Sequence, residues 1–190
     1  MAARRSARSP SFDGYVGGTI VMKPDIGEQI LGALSDEFSD LADVAGLTRV
    51  TSRLLLALLL GAMIGWERER QESAAGLRTH MLVALGTALF VLVPEQAGMT
   101  LGELSRVLQG IVAGIGFLGA GAVLKLGQLR EIRGLTTAAS IWATAAIGAT
   151  VGLGREATAL LATLMVLLVL SVLLRVERHF MAHPRRRRER

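Results

Sequence analysis

The sequence of 190 residues contains no cysteine and no asparagine. Without cysteine the chain cannot form a disulfide, a thiol nucleophile or an iron–sulfur cluster, and without asparagine it has no glycosylation sequon. Aromatic residues make up only 4% of the chain, so its hydrophobicity rests on aliphatic residues and glycine. This composition is poor for the interlocking core of a soluble domain and suits helices that pack closely in lipid.

Charge is also scarce in the second half of the chain. Residues 79–174 hold nine charged side chains, whereas the remaining 94 residues hold 28. With its 22 glycines included, the apolar share of the chain reaches about 63%, against roughly 45–50% in soluble domains. Because a soluble domain spreads charge over every exposed face, this distribution excludes a soluble globular protein.

Five apolar segments predict membrane-spanning helices, since irregular backbone is not tolerated in contact with lipid. The segments cover about 49–66, 79–93, 107–126, 134–153 and 157–174. In residues 25–46, apolar positions recur at intervals of three and four, which is typical of an amphipathic helix. The predicted fold is therefore an all-α, polytopic membrane helix bundle, with five transmembrane helices preceded by an amphipathic helix.

The other segments complete the predicted organisation. Residues 1–24 are predicted to be a disordered tail, 49–174 a five-span membrane domain, and 175–190 a basic tail that binds anionic headgroups rather than nucleic acid. Near the spans, 13 positive residues fall on the side of the 67–78 and 125–133 loops and the C-terminal tail, against four on the other side. The positive-inside rule then predicts an N-terminus outside and a C-terminus in the cytoplasm.

A run of alternating charge follows the first span, with Glu67 and Arg68 placed at the headgroup boundary. The carboxylate of Glu67 can pair there with Arg78 or Arg133 from the adjacent loops. One interpretation is that these charges only anchor the topology of the spans. The alternative is a fixed ionic cluster of Glu67, Arg68, Arg78 and Arg133 that holds a ligand or partner at the cytoplasmic face.

Glycine is concentrated where helices are expected to touch. In the first span, Gly61 and Gly65 lie four residues apart and leave a smooth face for a neighbouring helix. In the third span, small residues at the same spacing predict either a helix buried between others or one used for self-association, and local unwinding around an ion is an alternative. The predicted packing or partner face comprises Gly110, Gly114, Gly116, Gly119, Gly121, Thr136 and Thr137.

No cofactor, metal ion or catalytic centre is expected. Residues 114–119 match the dinucleotide-binding spacing, but no strand precedes them and no acidic residue follows about 20 positions later. His80 stands alone at the entrance of a span, and no span has Asp, Glu or Lys at its middle, which argues against a proton relay or a carboxylate-lined Mg²⁺ path. The chain is therefore predicted not to be an enzyme.

Four segments carry a recognisable pattern. They are GAMIGWER at 61–68, AGLRTH at 75–80, GIGFLGAG at 114–121 and RGLTTAA at 133–139. In this order and spacing they closely resemble the MgtC/SapB family of bacterial inner-membrane proteins. Several members of that family carry a soluble C-terminal domain, and because this chain stops 16 residues after its last predicted span, we expect a short form without that domain.

The resemblance implies a function linked to growth under magnesium limitation and to virulence through survival inside macrophages. Family members look like regulators that bind other membrane proteins, including the rotary ATP synthase. The expected mechanism is regulation of a membrane partner through helix packing, by a protein that forms homo-oligomers in the lipid bilayer. The alternative is a subunit of a small oligomeric transporter or channel for magnesium or another ion.

Overall fold

A computed structural model of the protein describes residues 25–37, 44–123 and 134–173, and every structural statement below refers to these ranges. The predicted tails 1–24 and 175–190 lie outside them. The chain divides into two units, Met1–Leu47 and Thr48–Arg190, and the sites discussed below all belong to the second unit.

Six helices follow one another along the chain. They are α1 (Ile26–Glu37), α2 (Val44–Arg70), α3 (Leu77–Gln96), α4 (Leu101–Ala122), α5 (Leu135–Gly152) and α6 (Glu156–Leu168), the last of which continues as a π-helical turn over Val169–Leu173. The described ranges contain no strand. The all-α fold class of a helical membrane bundle is therefore confirmed.

Four of these helices, α2 to α5, are long and apolar enough to cross a membrane. The fifth apolar helix, over Glu156–Val172, is shorter than the other four. The number of five spans therefore stays a prediction for α6. Of the amphipathic segment predicted over 25–46, α1 covers Ile26–Glu37, residues 38–43 lie outside the described ranges, and Val44 already belongs to α2.

Helix α4 begins at Leu101, six residues before the predicted start of the third span. The reason is a capping box, in which the Glu103 backbone N–H donates to the Thr100 hydroxyl at 3.4 Å and the Thr100 N–H donates to the Glu103 carboxylate at 2.8 Å. These reciprocal bonds satisfy donors that would otherwise lack partners at the helix start. The TLGE sequence at 100–103 carries this signal, which the apolar run alone does not show.

Helix α5 lies at the centre of the second unit, where it contacts α3, α4 and α6. More than half of its residues are buried, and most of them are Ala, Gly, Ser or Thr. Such small side chains allow neighbouring helices to approach closely, which is what drives helix association in lipid. Ile147 and Val151 add the larger apolar groups that pack with Leu60 of α2 and Ala88 of α3.

Glycines bring α2 and α5 against the backbone of α3. A Cβ atom added at Gly61 would lie 2.7 Å from the carbonyl oxygen of His80, and one at Gly65 would lie 2.7 Å from the Cα of Leu77. On the α5 side, a Cβ at Gly152 would lie 2.7 Å from the Ala88 carbonyl oxygen, and one at Gly148 would lie 2.5 Å from the Thr87 hydroxyl. Only glycine is compatible with these approaches.

The glycines of α4 are open, unlike those of α2 and α5 that face α3. A Cβ atom at any of four positions would meet nothing within 4 Å, namely Gly110, Gly114, Gly116 and Gly121, and at Gly119 it would make an ordinary 3.6 Å contact with the Ala138 Cβ. Only Leu104 and Ile115 of this helix are buried. Within the described ranges, the interpretation of α4 as a helix buried between others is wrong, and its use in association stays a prediction.

The two classes of glycine lead to opposite expectations for the same substitution. We expect Gly148→Ala to destabilise the fold by about 1–3 kcal/mol, because the added methyl group overlaps the α3 backbone. We expect Gly110→Ala to be neutral or to stabilise α4 by up to about 1 kcal/mol, the difference in helix propensity. Thermal unfolding of both variants in detergent, followed by circular dichroism, measures the difference, and equal effects would contradict this account of the α3 contacts.

Candidate functional site

Polar side chains gather at both ends of the bundle. We call the Arg68 end the region where α2 ends and α3 and α5 begin. The Arg53 end is the region where α3 and α5 end and α6 begins. A groove between α3 and α4 lies apart from both ends.

At the Arg68 end, the side chain of Arg68 turns inward, and the residue is only 5% exposed. Its Nε donates to the Oε2 of Glu67 at 3.0 Å, and the Glu67 side chain is itself largely buried. Taking a guanidinium out of water is costly unless a carboxylate compensates its charge. Glu67 therefore supplies the compensation that allows Arg68 to lie against the helices.

Of the predicted cluster, the structure brings Glu67 and Arg68 together. Arg78 lies on the exposed side of the first turn of α3, because it precedes the buried His80 by two residues and such positions point to opposite helix faces. No described carboxylate lies within ion-pair distance of Arg78, so Glu67 pairs with its sequence neighbour instead. Arg133 lies outside the described residues.

Glu69 fixes the start of α3 at the same end. One of its carboxylate oxygens accepts a hydrogen bond from the backbone N–H of Leu77 at 2.7 Å. A Cβ atom on Gly76 would lie 2.6 Å from that oxygen, so glycine makes room for the carboxylate. A negative charge is favourable at a helix N-terminus, where backbone N–H groups lack partners within the helix.

His80 connects α3 to α5 and is fully buried. Its Nδ1 lies 2.8 Å from the Gly76 carbonyl oxygen, and its Nε2 lies 3.1 Å from the Ser140 hydroxyl. The Ser140 hydroxyl in turn donates to the Thr137 carbonyl oxygen at 2.8 Å. Sequence reasoning treated His80 as an isolated side chain because Ser140 is 60 positions away.

The two threonines of the predicted partner face have different positions. The Thr137 hydroxyl is buried and hydrogen-bonds that of Ser73 at 2.8 Å, which ties the α2–α3 loop to the first turn of α5. Thr136 is exposed. Thr137 is therefore part of the internal polar network, and of the two only Thr136 is placed to meet another molecule.

At the Arg53 end, one guanidinium joins three other elements. Arg53 Nη1 donates to Glu95 Oε2 and to the Gly152 carbonyl oxygen, both at 3.2 Å, and Arg53 Nε lies 3.5 Å from Glu156 Oε1. Gly154, with a φ of +69°, lies so close to the guanidinium that any side chain there would collide with it. Sequence analysis does not place Arg53 in any site, because Glu95 and Gly152 lie 42 and 99 positions away.

An apolar groove of about 460 Å³ lies between α3 and α4. Two residues of α3 and six of α4 line it: Thr87, Phe90, Val107, Gly110, Ile111, Gly114, Ile115 and Leu118. Two of the open glycines thus face the groove. In the described ranges, no group of three or more His, Cys, Asp or Glu residues is placed to hold a metal ion.

The Arg53 contacts predict a measurable contribution to stability. We expect Arg53→Gln to lower the free energy of unfolding by about 1–2 kcal/mol, because both carboxylates lose a charged partner but are exposed enough to regain water. Arg49→Gln, four residues earlier on the exposed surface of α2, is the matched control. Thermal unfolding at low and high salt measures both variants, and equal losses would show that the Arg53 ion pairs do not hold the helices together.

Comparison with known proteins places these features in a family. The sequence profile of the MgtC family matches residues 54–179. Protein SrpB of Synechococcus elongatus is 48% identical over 137 residues, which cover 66% of this chain and 75% of SrpB. Protein MgtC of Salmonella typhimurium is 48% identical over 124 residues, which cover 64% of this chain and 51% of MgtC.

A third relative, "Putative magnesium transporter YhiD" of Escherichia coli K12, is 42% identical over 127 residues, which cover 63% of this chain and 58% of YhiD. The chain thus spans about half the length of the Salmonella relative. No solved structure matches it. The profile match covers most of α2 and all of α3 to α6, including the whole Arg68 end, and the chain therefore belongs to the MgtC family.

Proposed function

We propose that this MgtC-family membrane protein regulates another membrane protein by packing α4 against a transmembrane helix of that partner. The observation that carries the proposal is the contrast between packed and open glycines. A Cβ atom added at the packed positions would overlap α3, whereas one added at the four open glycines of α4 would meet nothing within 4 Å. The packed positions are Gly61, Gly65, Gly148 and Gly152.

The contrast matters because glycine weakens a helix. Each interior glycine costs roughly 1 kcal/mol relative to alanine, since it has more backbone freedom to lose. On α2 and α5 the close approach to α3 offsets this cost. On α4 no described residue offsets it, and a second helix seated on the open face would do so by bringing two backbones together.

The open face of α4 is concave, because it forms one side of the apolar groove. Gly110 and Gly114 lie on its lining together with the larger side chains of Phe90 and Leu118. Such a surface accepts a helix with small or aliphatic contact residues rather than a charged one. In this proposal the cytoplasmic end of the contact is fixed by charged residues, namely Glu67, Arg68, Arg78 and Arg133. Thr136 extends the contact face onto α5.

The family resemblance suggests the setting of this regulation. By analogy, the partner is another inner-membrane protein such as the rotary ATP synthase, and the regulation serves adaptation to magnesium limitation and virulence. The same face would also support a homo-oligomer. We propose no catalytic activity for the chain.

Substitution of a single open glycine tests the proposal. We expect Gly114→Leu to reduce co-purification of the crosslinked partner at least tenfold, because the larger side chain fills the groove, while membrane insertion stays normal. Gly86→Leu is the matched control, since Gly86 is also open but lies on α3 outside the groove lining. The assay is crosslinking in native membranes, with the captured proteins identified by mass spectrometry.

The outcomes separate the occupants of the face. A band lost in Gly114→Leu and kept in Gly86→Leu supports the proposal, and its identity shows whether the occupant is a different protein or a second copy. Capture that is unchanged in Gly114→Leu would falsify the role of the α4 face. Equal loss in both variants would point to a general defect of the bundle and would count against the proposal as well.

A second candidate is an oligomeric transporter of magnesium or another ion, which the name of the YhiD relative favours. The two candidates differ in what the purified protein does alone. A regulator requires its partner, whereas a transporter moves its substrate without one. Magnesium flux into proteoliposomes that contain only this protein would favour the transporter.

We also propose that the Arg68 end faces the cytoplasm, with the N-terminus outside. The Ser73–Thr137 hydrogen bond supports the grouping of the α2–α3 loop with the start of α5 on one side of the membrane. The distribution of positive charge supports the choice of side. A reporter enzyme that works only in the cytoplasm should be active when fused after Arg190, and a fusion active only outside the cytoplasm would contradict this orientation.

A further inference from the structure

His80 and Ser140 take part in three polar contacts, and a neutral imidazole does not supply enough hydrogen atoms for all three. Three contacts follow one another: Gly76 O to His80 Nδ1 at 2.8 Å, His80 Nε2 to Ser140 Oγ at 3.1 Å, and Ser140 Oγ to Thr137 O at 2.8 Å. Both ends of this row are carbonyl oxygens, which can only accept. Each contact therefore needs a hydrogen atom from the imidazole or the serine hydroxyl.

Counting these hydrogen atoms distinguishes the two states of the ring. A neutral imidazole carries one and a serine hydroxyl carries one, which leaves one of the three contacts without a proton. An imidazolium carries two, so that together with Ser140 all three contacts are filled. In both states Nδ1 must carry a proton, because the Gly76 carbonyl oxygen has none to donate.

We propose that His80 is a proton switch at the Arg68 end of the bundle. In the neutral state, the Ser140 hydroxyl donates to Nε2. Uptake of a proton from water at Nε2 reverses the direction of this hydrogen bond, and the Ser140 hydroxyl then donates to the Thr137 carbonyl oxygen. The switch places a positive charge in the α3–α5 contact without breaking the His80–Ser140 bond.

The charged groups around the ring determine which contacts the imidazolium weakens. Burial of the ring is the larger obstacle to the imidazolium, because it removes the charge from water. Arg68 of α2 adds a smaller repulsion, part of which Glu67 offsets. Glu69, at the same end of α2, is hydrogen-bonded to the N–H of Leu77, and Arg78 of α3 points to the exposed side. Helix α5 carries no ionisable residue. The imidazolium therefore repels Arg68, and acidification disfavours the inward, buried position of its guanidinium.

Nitrogen NMR of the histidine rings tests the proposal directly. The full chain is labelled with ¹⁵N-histidine in lipid nanodiscs, with His179→Gln and His183→Gln so that His80 gives the only ring signals. We expect a neutral ring protonated at Nδ1 at high pH, and a ring protonated at both nitrogens on acidification. A neutral ring protonated at Nε2, or a ring that takes up no second proton down to pH 4 in folded protein, would overturn the proposal.

Ser140→Ala shows whether Ser140 is the acceptor in the charged state. Loss of a hydrogen bond to a charged donor should weaken binding of the second proton about tenfold, which moves the midpoint about one pH unit lower. Thr163→Val removes another buried hydroxyl, one that bonds only to its own helix in α6, and should leave the midpoint unchanged. An unchanged midpoint in Ser140→Ala would contradict the proposed geometry.

Glu67→Gln provides an independent variant outside α3 and α5. With Glu67 neutral, the charge of Arg68 is no longer offset, so the second proton should again bind more weakly than in the parent chain. A midpoint that stays unchanged or moves to higher pH would show that the charge of Arg68 does not act on the ring. These readouts measure proton binding alone, so their result is independent of whether α4 binds a partner.

Discussion

The backbone of α3 is approached so closely from two sides that only glycine can occupy the positions that face it. In lipid the helices gain little from the hydrophobic effect, since the acyl chains are as apolar as the side chains. Close packing must therefore supply the association energy, and Gly61 and Gly65 of α2 and Gly148 and Gly152 of α5 make it possible. The short distance between backbones also brings short polar side chains within reach of each other.

The polar contacts at both ends follow from this closeness. His80 reaches Ser140 across the α3–α5 contact only because α5 lies against the α3 backbone one and two turns further along, at Ala84 and Thr87. At the opposite end, Arg53 reaches both Glu95 and the Gly152 carbonyl oxygen because these two helices end side by side. At each end a small number of side chains therefore connects helices that are distant in sequence. The buried guanidinium at each end is compensated by a carboxylate.

The sequence was sufficient to predict the helices but not the environment of every face. Uninterrupted apolar runs allow only helices in lipid, and the small-residue spacing of Gly61 and Gly65 correctly predicted a close neighbour. The same spacing occurs at Gly110 and Gly114, where an added Cβ atom would meet no described atom within 4 Å. Spacing shows that a helix can be approached, whereas the partner depends on tertiary arrangement. The role of His80 could not be predicted for the same reason, since its partner on α5 is defined only by the fold.

The open glycines of α4 are best understood by asking what alanine would do in their place. Acyl chains are fluid and adapt to a methyl group as readily as to a hydrogen atom, so contact with lipid gives no reason for glycine over alanine. Alanine would also strengthen the helix by roughly 1 kcal/mol at each position. Glycine is favoured where a rigid surface comes within backbone distance, as α3 does at Gly148, although α3 also carries a single open glycine at Gly86. The open face of α4 has the same composition without that surface, which is why we assign its contact to a helix from outside the chain.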